Sequence, residues 1–422
     1  MSKLQAVRGM NDILPDEIGN WHYFESMVIE LLKQFNYHEI RMPIVEKSEL
    51  FHRGVGEGTD IVEKETYDFL DRNGESLTLR PEGTASCVRA MIEHGMLRNQ
   101  QQKLFYIGPM YRHERPQKGR YRQFYQLGVE VYGASHIAAD AELITLNWQL
   151  WQKLGLVDHV KLEINNLGTA KERQDYTKAL VEYLTPLNGQ LDKDSQRRLG
   201  KNPLRILDSK NEQTRKLLQN APVFDDYLSE ASKADFAELC NYLKSSTIPF
   251  TINPHLVRGI DYYTNTVFEW TTDKLGAQGT ICAGGRYDGL VTSLNGPDTP
   301  AVGFAMGIER ILLLLQTLAL LPQATVAPDI YIISDSRSIF KAMEISSDLR
   351  IKLPQLCIEQ NTTPSSIKSQ FKKADKSGAK IALVIAENEI KNQSAVVKFL
   401  REDKPQQSIA FDRLADQLSA LY

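Results

Sequence analysis

Residues 121–130, YRQFYQLGVE, set the tightest limit on what this chain can fold into. Strand alternation places Arg122, Phe124, Gln126, Gly128 and Glu130 on one face and Tyr125, Leu127 and Val129 on the other. The apolar face belongs to a core, while the other aligns a cation, a ring, an amide and a carboxylate. Such a face suits a ligand with phosphates, a planar base and an amine: arginine donates in a rigid fork, a ring stacks, and carboxylate with amide receives ammonium or imidazole N–H. Gly128 is expected to leave open space between Gln126 and Glu130. A solvated hairpin would show the same spacing.

The strand emerges from RHERPQKGRYRQFYQ, residues 112–126, in which five of fifteen side chains are Arg or Lys. Over its 422 residues the chain balances 50 Lys plus Arg against 53 Asp plus Glu, a net charge of -3, so this concentration is local. A single-sign binding tail is excluded. A 42% hydrophobic content supports large cores and two or three domains. Cys87, Cys240, Cys282 and Cys357 lie too far apart for a disulfide framework or a thiolate metal site, and they fit a cytoplasmic home. The apolar run ILLLLQTLALL, residues 311–321, is too short to span a bilayer, and the first residues carry no long apolar region, so no membrane role is expected.

Apolar spacing predicts a long helix over 17–35, and Pro43 is expected at a strand edge or end, open to a partner chain. Residues 71–74 read as a hairpin turn and 84–96 as a helix. From Leu167 to about Pro249 the texture turns to charged helical segments, a helical insertion with polar loops at 186–203. Strands are expected at 251–270 and 279–283, then a Gly-rich turn and a helix from Gly307. After Pro328 short apolar strands alternate with helices at 337–350, 364–376 and 409–420, the pattern of an α/β domain.

Three further segments carry chemistry-bearing residues. In LVRGIDYYTNTVFEW, Arg258 sits in a run that otherwise reads as an apolar strand, so its charge needs a partner or a cleft; a structural ion pair and a catalytic role both fit. In AGGRYDGL, Gly284 and Gly285 let the backbone approach a ligand beside Tyr287, or form a plain turn. In AVGFAMGIERIL, Glu309 and Arg310 occupy the first turn of a helix, where Arg310 suits an anion, a purine face or ordinary solvent.

Taken together, these segments resemble the class II aminoacyl-tRNA synthetases, and within them the bacterial histidyl-tRNA synthetase family. YHEIRMPIVE is similar to the first, dimer-forming class II motif, RHERPQKGRYRQFYQ to the second and AVGFAMGIER to the third. TLRPEGTA, LVRGIDYY and AGGRYDGL resemble stretches that set the histidine family apart, and all six occur in order over nearly the whole chain.

The resemblance implies an α+β fold: an antiparallel-sheet catalytic domain over 1–325, a helical insertion at 170–250 within it, and an α/β anticodon-binding domain over 328–422. It implies catalytic arginines Arg112 and Arg258, the latter acting where other class II members use a further metal ion. It assigns ATP to Arg112, Glu114, Arg120, Phe124 and Arg310. Histidine falls to Glu82, Thr84 and Gln126 at its α-amino group, to Glu130 and Tyr263 at its imidazole, and to Tyr262 and Tyr287 as pocket walls. Magnesium with the ATP, tRNA(His) as partner and a homodimer follow, with metal ligands unassigned. A non-catalytic histidine-sensing regulatory paralogue shares this core, but such relatives usually lack the terminal domain and depart from the catalytic motifs. Here Arg112, Glu114, Arg258 and Arg310 stand in place.

Overall fold

The computed structural model describes residues 3–56, 59–98, 100–207, 209, 211–276, 279–322 and 327–421, and the elements below are those of these residues. The chain forms two compact units, residues 1–322 and 323–422. In the first, an eight-stranded sheet runs in the order His38–Glu39, Gln102–Tyr111, Gln123–Tyr132, Ala301–Gly307, Thr280–Arg286, Thr264–Thr271, Lys161–Asn166, Thr251–Ile252. Its two outermost pairings are parallel and the rest antiparallel.

One face of the sheet is covered by helices. Ile18–Gln34 buries Trp21, Phe24, Val28, Leu31 and Leu32, a stripe at helical spacing, in the same core as Leu127 and Val129. The apolar 311–321 run is the helix Ile308–Thr317, which turns Ile311, Leu314 and Leu315 into that core. No described helix is long and apolar enough to cross a membrane. The other face carries the candidate site.

Several expectations are corrected. Pro43 lies outside any strand, between His38–Glu39 and Val45–Lys47, and its carbonyl and that of Met42 accept from Arg80 Nη1 at 3.4 and 2.9 Å. The strand expected over 251–270 breaks after Ile252 and resumes at Thr264. Pro254 cannot donate to a ladder, and Asn165 Nδ2 instead donates to Leu256 O at 3.0 Å. Arg258 therefore stands on a loop. Gly284 and Gly285 lie within the strand Thr280–Arg286, not a turn, because a Cβ at Gly284 would come 2.3 Å from Gly303 O and 2.6 Å from Phe304 Cβ.

The insertion has its own small core of Tyr176, Leu180, Leu184, Leu191, Ile206 and Leu218. The helix Glu230–Ser245 instead packs Leu239 and Leu243 into the main core. Residues 186–203, expected as loops, form short helices, Thr185–Gln190, Lys193–Leu199 and the start of Pro203–Ile206. The Asp192 carboxylate organises them, accepting from the Ser195, Thr214 and Ser209 hydroxyls at 2.6, 2.8 and 3.2 Å.

The second unit is a five-stranded sheet in the order Ile358–Gln360, Ile330–Ile333, Ile381–Val384, Ser394–Phe399, Gln407–Ala410. Ile330 and Ile332 enter one apolar core and Tyr331 and Ile333 another, so helices cover both faces. Its last helix is shorter than expected, Leu414–Ser419, because 407–410 pairs as an edge strand with 394–397.

Candidate active site

Cross-strand register builds the site. Gln126, Gly128 and Glu130 stand opposite Gly307, Ala305 and Gly303, and Ala305 stands opposite Ala283. Directly paired residues share a face, so a strip of Gly and Ala forms a floor on which no side chain is larger than a methyl. A cavity of about 230 Å³ lies over it. A Cβ at Gly303 would fall 1.8 Å from Glu130 Oε2, so glycine there makes room for the carboxylate.

Phe124, Gln126 and Glu130 all line the cavity, as alternation predicts. Arg122 does not. It precedes the strand Gln123–Tyr132, and its Nε donates to Glu114 O at 3.1 Å. Nor does Gly128 leave open space: the Tyr106 ring, on the directly paired strand position, fills it, 2.1 Å from where a Cβ would sit. Gln126 Oε1 is buried with no hydrogen-bond partner, an acceptor facing the cavity.

Glu130 is almost wholly buried and accepts from three hydroxyls, Thr84 at 2.8 Å, Tyr106 at 3.1 Å and Tyr287. Burial outweighs these donors and pushes its pKa up to about 8. Tyr287 thus stands behind Glu130 and is absent from the lining, a correction to its expected place on the wall. Arg286, paired with buried Asp140 and with Asp288, anchors the adjoining backbone. Glu82 accepts from Thr84 N and Ala85 N, both at 2.8 Å, and so satisfies the first turn of the helix Thr84–Glu93. Glu82 and Thr84 both line the cavity, with Tyr262 and Tyr263 from the 253–263 loop.

Arg112, Arg120, Arg258 and Arg310 converge on the same space. Arg112 Nε donates to Pro81 O at 2.9 Å, and its guanidinium lies 5.3 Å from the Phe124 ring centroid. Arg120 pairs with Glu114. Arg310 donates to Gly119 O at 3.0 Å and Thr280 O at 2.7 Å. For Arg258 the two readings coexist: Nη1 pairs with Glu269 Oε2 at 2.6 Å, while buried Nε has no partner. Burial lowers the pKa of Arg112 and Arg310, with Arg258 adding to the first and Arg120 and Arg112 to the second. Guanidinium remains charged through such shifts, so the cavity holds desolvated positive charge that favours an anionic ligand.

Two participants, Tyr106 and Glu269, escape sequence reasoning, and for a third, Glu309, only the position is legible and not the contact. Tyr106 shows only as a tyrosine whose register partner is a glycine, a pairing that needs the sheet to be known. Glu269 reaches Arg258 from the strand Thr264–Thr271. Glu309 lines the cavity and accepts from Tyr125 N at 2.9 and 3.1 Å, and burial raises its pKa to about 7. Its place in GIER beside Arg310 was the available signal.

Known proteins resemble this chain over nearly its whole length. The family model described as histidyl-tRNA synthetase matches residues 9–311, and the anticodon binding domain model matches 336–421. The chain is 55% identical over 419 residues to a histidine–tRNA ligase of Francisella tularensis subsp. novicida, covering 99% of this chain and 100% of that one. It is 53% identical over 422 residues to that of Francisella philomiragia, covering 100% of both. Among solved structures, the apo histidyl-tRNA synthetase of S. aureus superposes with a TM-score of 0.83 at 36% identity, covering 98% of this chain and 99% of that one.

Proposed function

The chain belongs to the histidyl-tRNA synthetase family and is an enzyme that activates histidine with ATP and transfers it to tRNA(His); from that premise we propose how its own residues divide the work. A histidine carboxylate oxygen attacks the α-phosphorus of ATP, the bond to the β-phosphate oxygen breaks, and histidyl-adenylate and pyrophosphate result. The terminal ribose hydroxyl of the tRNA then attacks the acyl carbon, gives up its proton, and AMP leaves. The first step brings two anions together and needs aligned cationic donors. Arg112 bridges the α-phosphate and the histidine carboxylate, and Arg258, fixed by Glu269, stabilises charge on the α-phosphoryl oxygens. Phe124 and Arg310 hold the adenine between ring and guanidinium plane, Glu114 receives its amino group, and Arg120 meets the pyrophosphate end.

Glu82, Thr84 and Gln126 receive the α-ammonium, a three-donor group that requires acceptors. Glu130 and Tyr263 take the two imidazole nitrogens, so a side chain without one donor and one acceptor leaves buried polar groups unpaired. Tyr262 walls the pocket and Tyr287 holds Glu130 in place. Magnesium would enter with ATP and screen the charge of its phosphates. Residues 1–325 carry the chemistry, 170–250 meet the acceptor arm, and 328–422 read the anticodon. The enzyme works as a homodimer in the cytoplasm, a reducing compartment that fits its four free cysteines.

One observation carries the assignment of roles: four arginines and the acceptors Glu82, Gln126 and Glu130 line one cavity. Histidine-dependent exchange of labelled pyrophosphate into ATP, without tRNA, tests it. Arg258→Ala should lower the exchange rate about a hundredfold or more with little change in ATP affinity; equal loss in both would make Arg258 a structural residue.

A further inference from the structure

Residues 258–263 carry Arg258, Tyr262 and Tyr263 on a loop with no ladder to hold them. The hydrogen bond of Asp261 N to Val55 O, at the end of the helix Ser48–Val55, is long, at 3.4 Å, while the Tyr263 side chain packs into the apolar cluster with Tyr106, Val267 and Tyr287. The backbone of the loop is held by the insertion. Arg173, in the first turn of the helix Ala170–Leu184, donates Nη1 to Asp261 O at 3.0 Å and to Tyr263 O. A single guanidinium nitrogen thus ties the backbone on both sides of Tyr262. Asn202 donates to the Asp261 carboxylate, and Arg205 Nη1 reaches Gly259 O at 3.4 Å.

Arg173 is itself fixed. Thr169 and Glu172 close a capping box around the start of its helix, and Glu172 also accepts from Ser229 N at 2.8 Å and the Ser232 hydroxyl at 2.9 Å. Beyond the loop, Asp60 gathers Arg197, Arg198 and Arg205 at 3.3, 3.6 and 3.8 Å, and Glu63 pairs with Lys201. Arg205 belongs to both groups, so the insertion is clasped to the segment beside the cavity and grips the loop from there.

We propose that Arg173 is a positioning residue for histidine recognition: from outside the cavity it sets Tyr262 and Tyr263 against Glu130, so the insertion completes the amino-acid pocket before RNA binds. This rests on the pocket assignments above. The ATP side stands apart from it, because Arg112 follows directly on the strand Gln102–Tyr111, Phe124 lies on the strand Gln123–Tyr132 and Arg310 on the helix Ile308–Thr317, and Arg258 is tied separately by Glu269. Loosening the loop at 261–263 therefore acts chiefly on histidine binding.

The test is pyrophosphate exchange with the full-length protein, varying histidine and ATP separately, with thermal unfolding alongside. Arg173→Met should raise KM for histidine about tenfold and leave KM for ATP within about twofold, the signature of lost binding to one substrate. Arg173→Lys should recover part of this, since an ammonium reaches one of the two carbonyls, and Asn202→Ala should move KM for histidine in the same direction by less. Equal changes in both KM values, or a lower Tm with both KM values unchanged, would overturn the proposal. If Arg173→Met does not fold, Arg173→Lys and Asn202→Ala decide, and an unchanged histidine KM in both overturns it. Tyr263→Phe separates the two readings. If that variant binds histidine as wild type does, the pocket assignment fails; if it weakens histidine while the Arg173 variants do not, the positioning role alone fails.

Discussion

Glu130, the proposed imidazole partner, concentrates the chemistry of that assignment in one side chain. Its carboxyl sits among three hydroxyl donors with a pKa near 8, against an ordinary 4.5. A group raised in the folded state contributes stability that is full below about 4.5 and lost as pH rises through about 8. Glu130→Gln cannot titrate, so the excess stability of wild type over this variant should fall as pH rises across that window, read as the difference in Tm; a constant difference would mean the carboxyl is not strained by burial. The same variant should raise KM for histidine by about a hundredfold, the scale set by an unpaired buried donor, while KM for ATP stays put. Gly303→Ala attacks the same point sterically. Its Cβ would also lie 2.7 Å from Val129 O, which cannot swing aside, so about 1–3 kcal/mol of stability should be lost in urea unfolding together with histidine binding. An unaltered midpoint would show that the strands part freely there. Phe124, Gln126 and Glu130 were legible from sequence because period-two alternation is local. Tyr106 and the placement of Tyr287 were not, because both depend on which strand lies beside which.

Among the elements, the insertion and the sheet respond to acid with opposite sign. Glu172 is depressed to about 2: burial raises its pKa, but hydrogen bonds from Ser229, Thr169 and Ser232 outweigh that. Asp192 is depressed in the same way by Ser195, Thr214 and Ser209. Stability from these groups is present above their ordinary pKa values and lost as pH falls through the depressed ones. Glu82, Glu130, Asp140 and Glu309, buried in and beside the sheet, are raised instead, so protonation does not weaken them, while the depressed Asp60 and Glu63 are the groups that clasp the insertion. All four tryptophans, Trp21, Trp148, Trp151 and Trp270, pack in the main core. Acidification from about 4.5 towards 2 should therefore remove helical circular dichroism before tryptophan fluorescence changes, and Glu172→Gln should start that loss at higher pH. Coincident transitions in both signals would mean the insertion has no stability of its own. Its helical texture was plain from charge and spacing, whereas the break at 253–263 was not. Pro254 marked the spot, but only the side-chain amide of Asn165 and the grip of Arg173 show that the intervening chain is a fixed loop.

For the whole molecule, the open question of surface is the first class II motif. A recess of about 760 Å³ is lined by Ile40, Met42, Pro43, Leu50, Ile92 and Leu294 among charged neighbours. Beside it a small sheet runs in the order Val45–Lys47, Ser76–Leu79, Tyr67–Leu70, and Ile44, Val45, Phe69 and Leu70 are exposed. An apolar rim next to an apolar recess, with an unpaired strand edge at 67–70, is the surface that the proposed homodimer would cover. An isologous interface repeats each contact twice, so one charge placed in it acts on both halves. Light scattering should give wild type twice the 47.9 kDa of one chain. Ile44→Glu, at a position already 40% exposed, should leave the fold of each chain intact and shift the mass towards the monomer. A wild-type monomer at micromolar concentration would sink the dimer, and a dimer indifferent to Ile44→Glu would move its interface to another face.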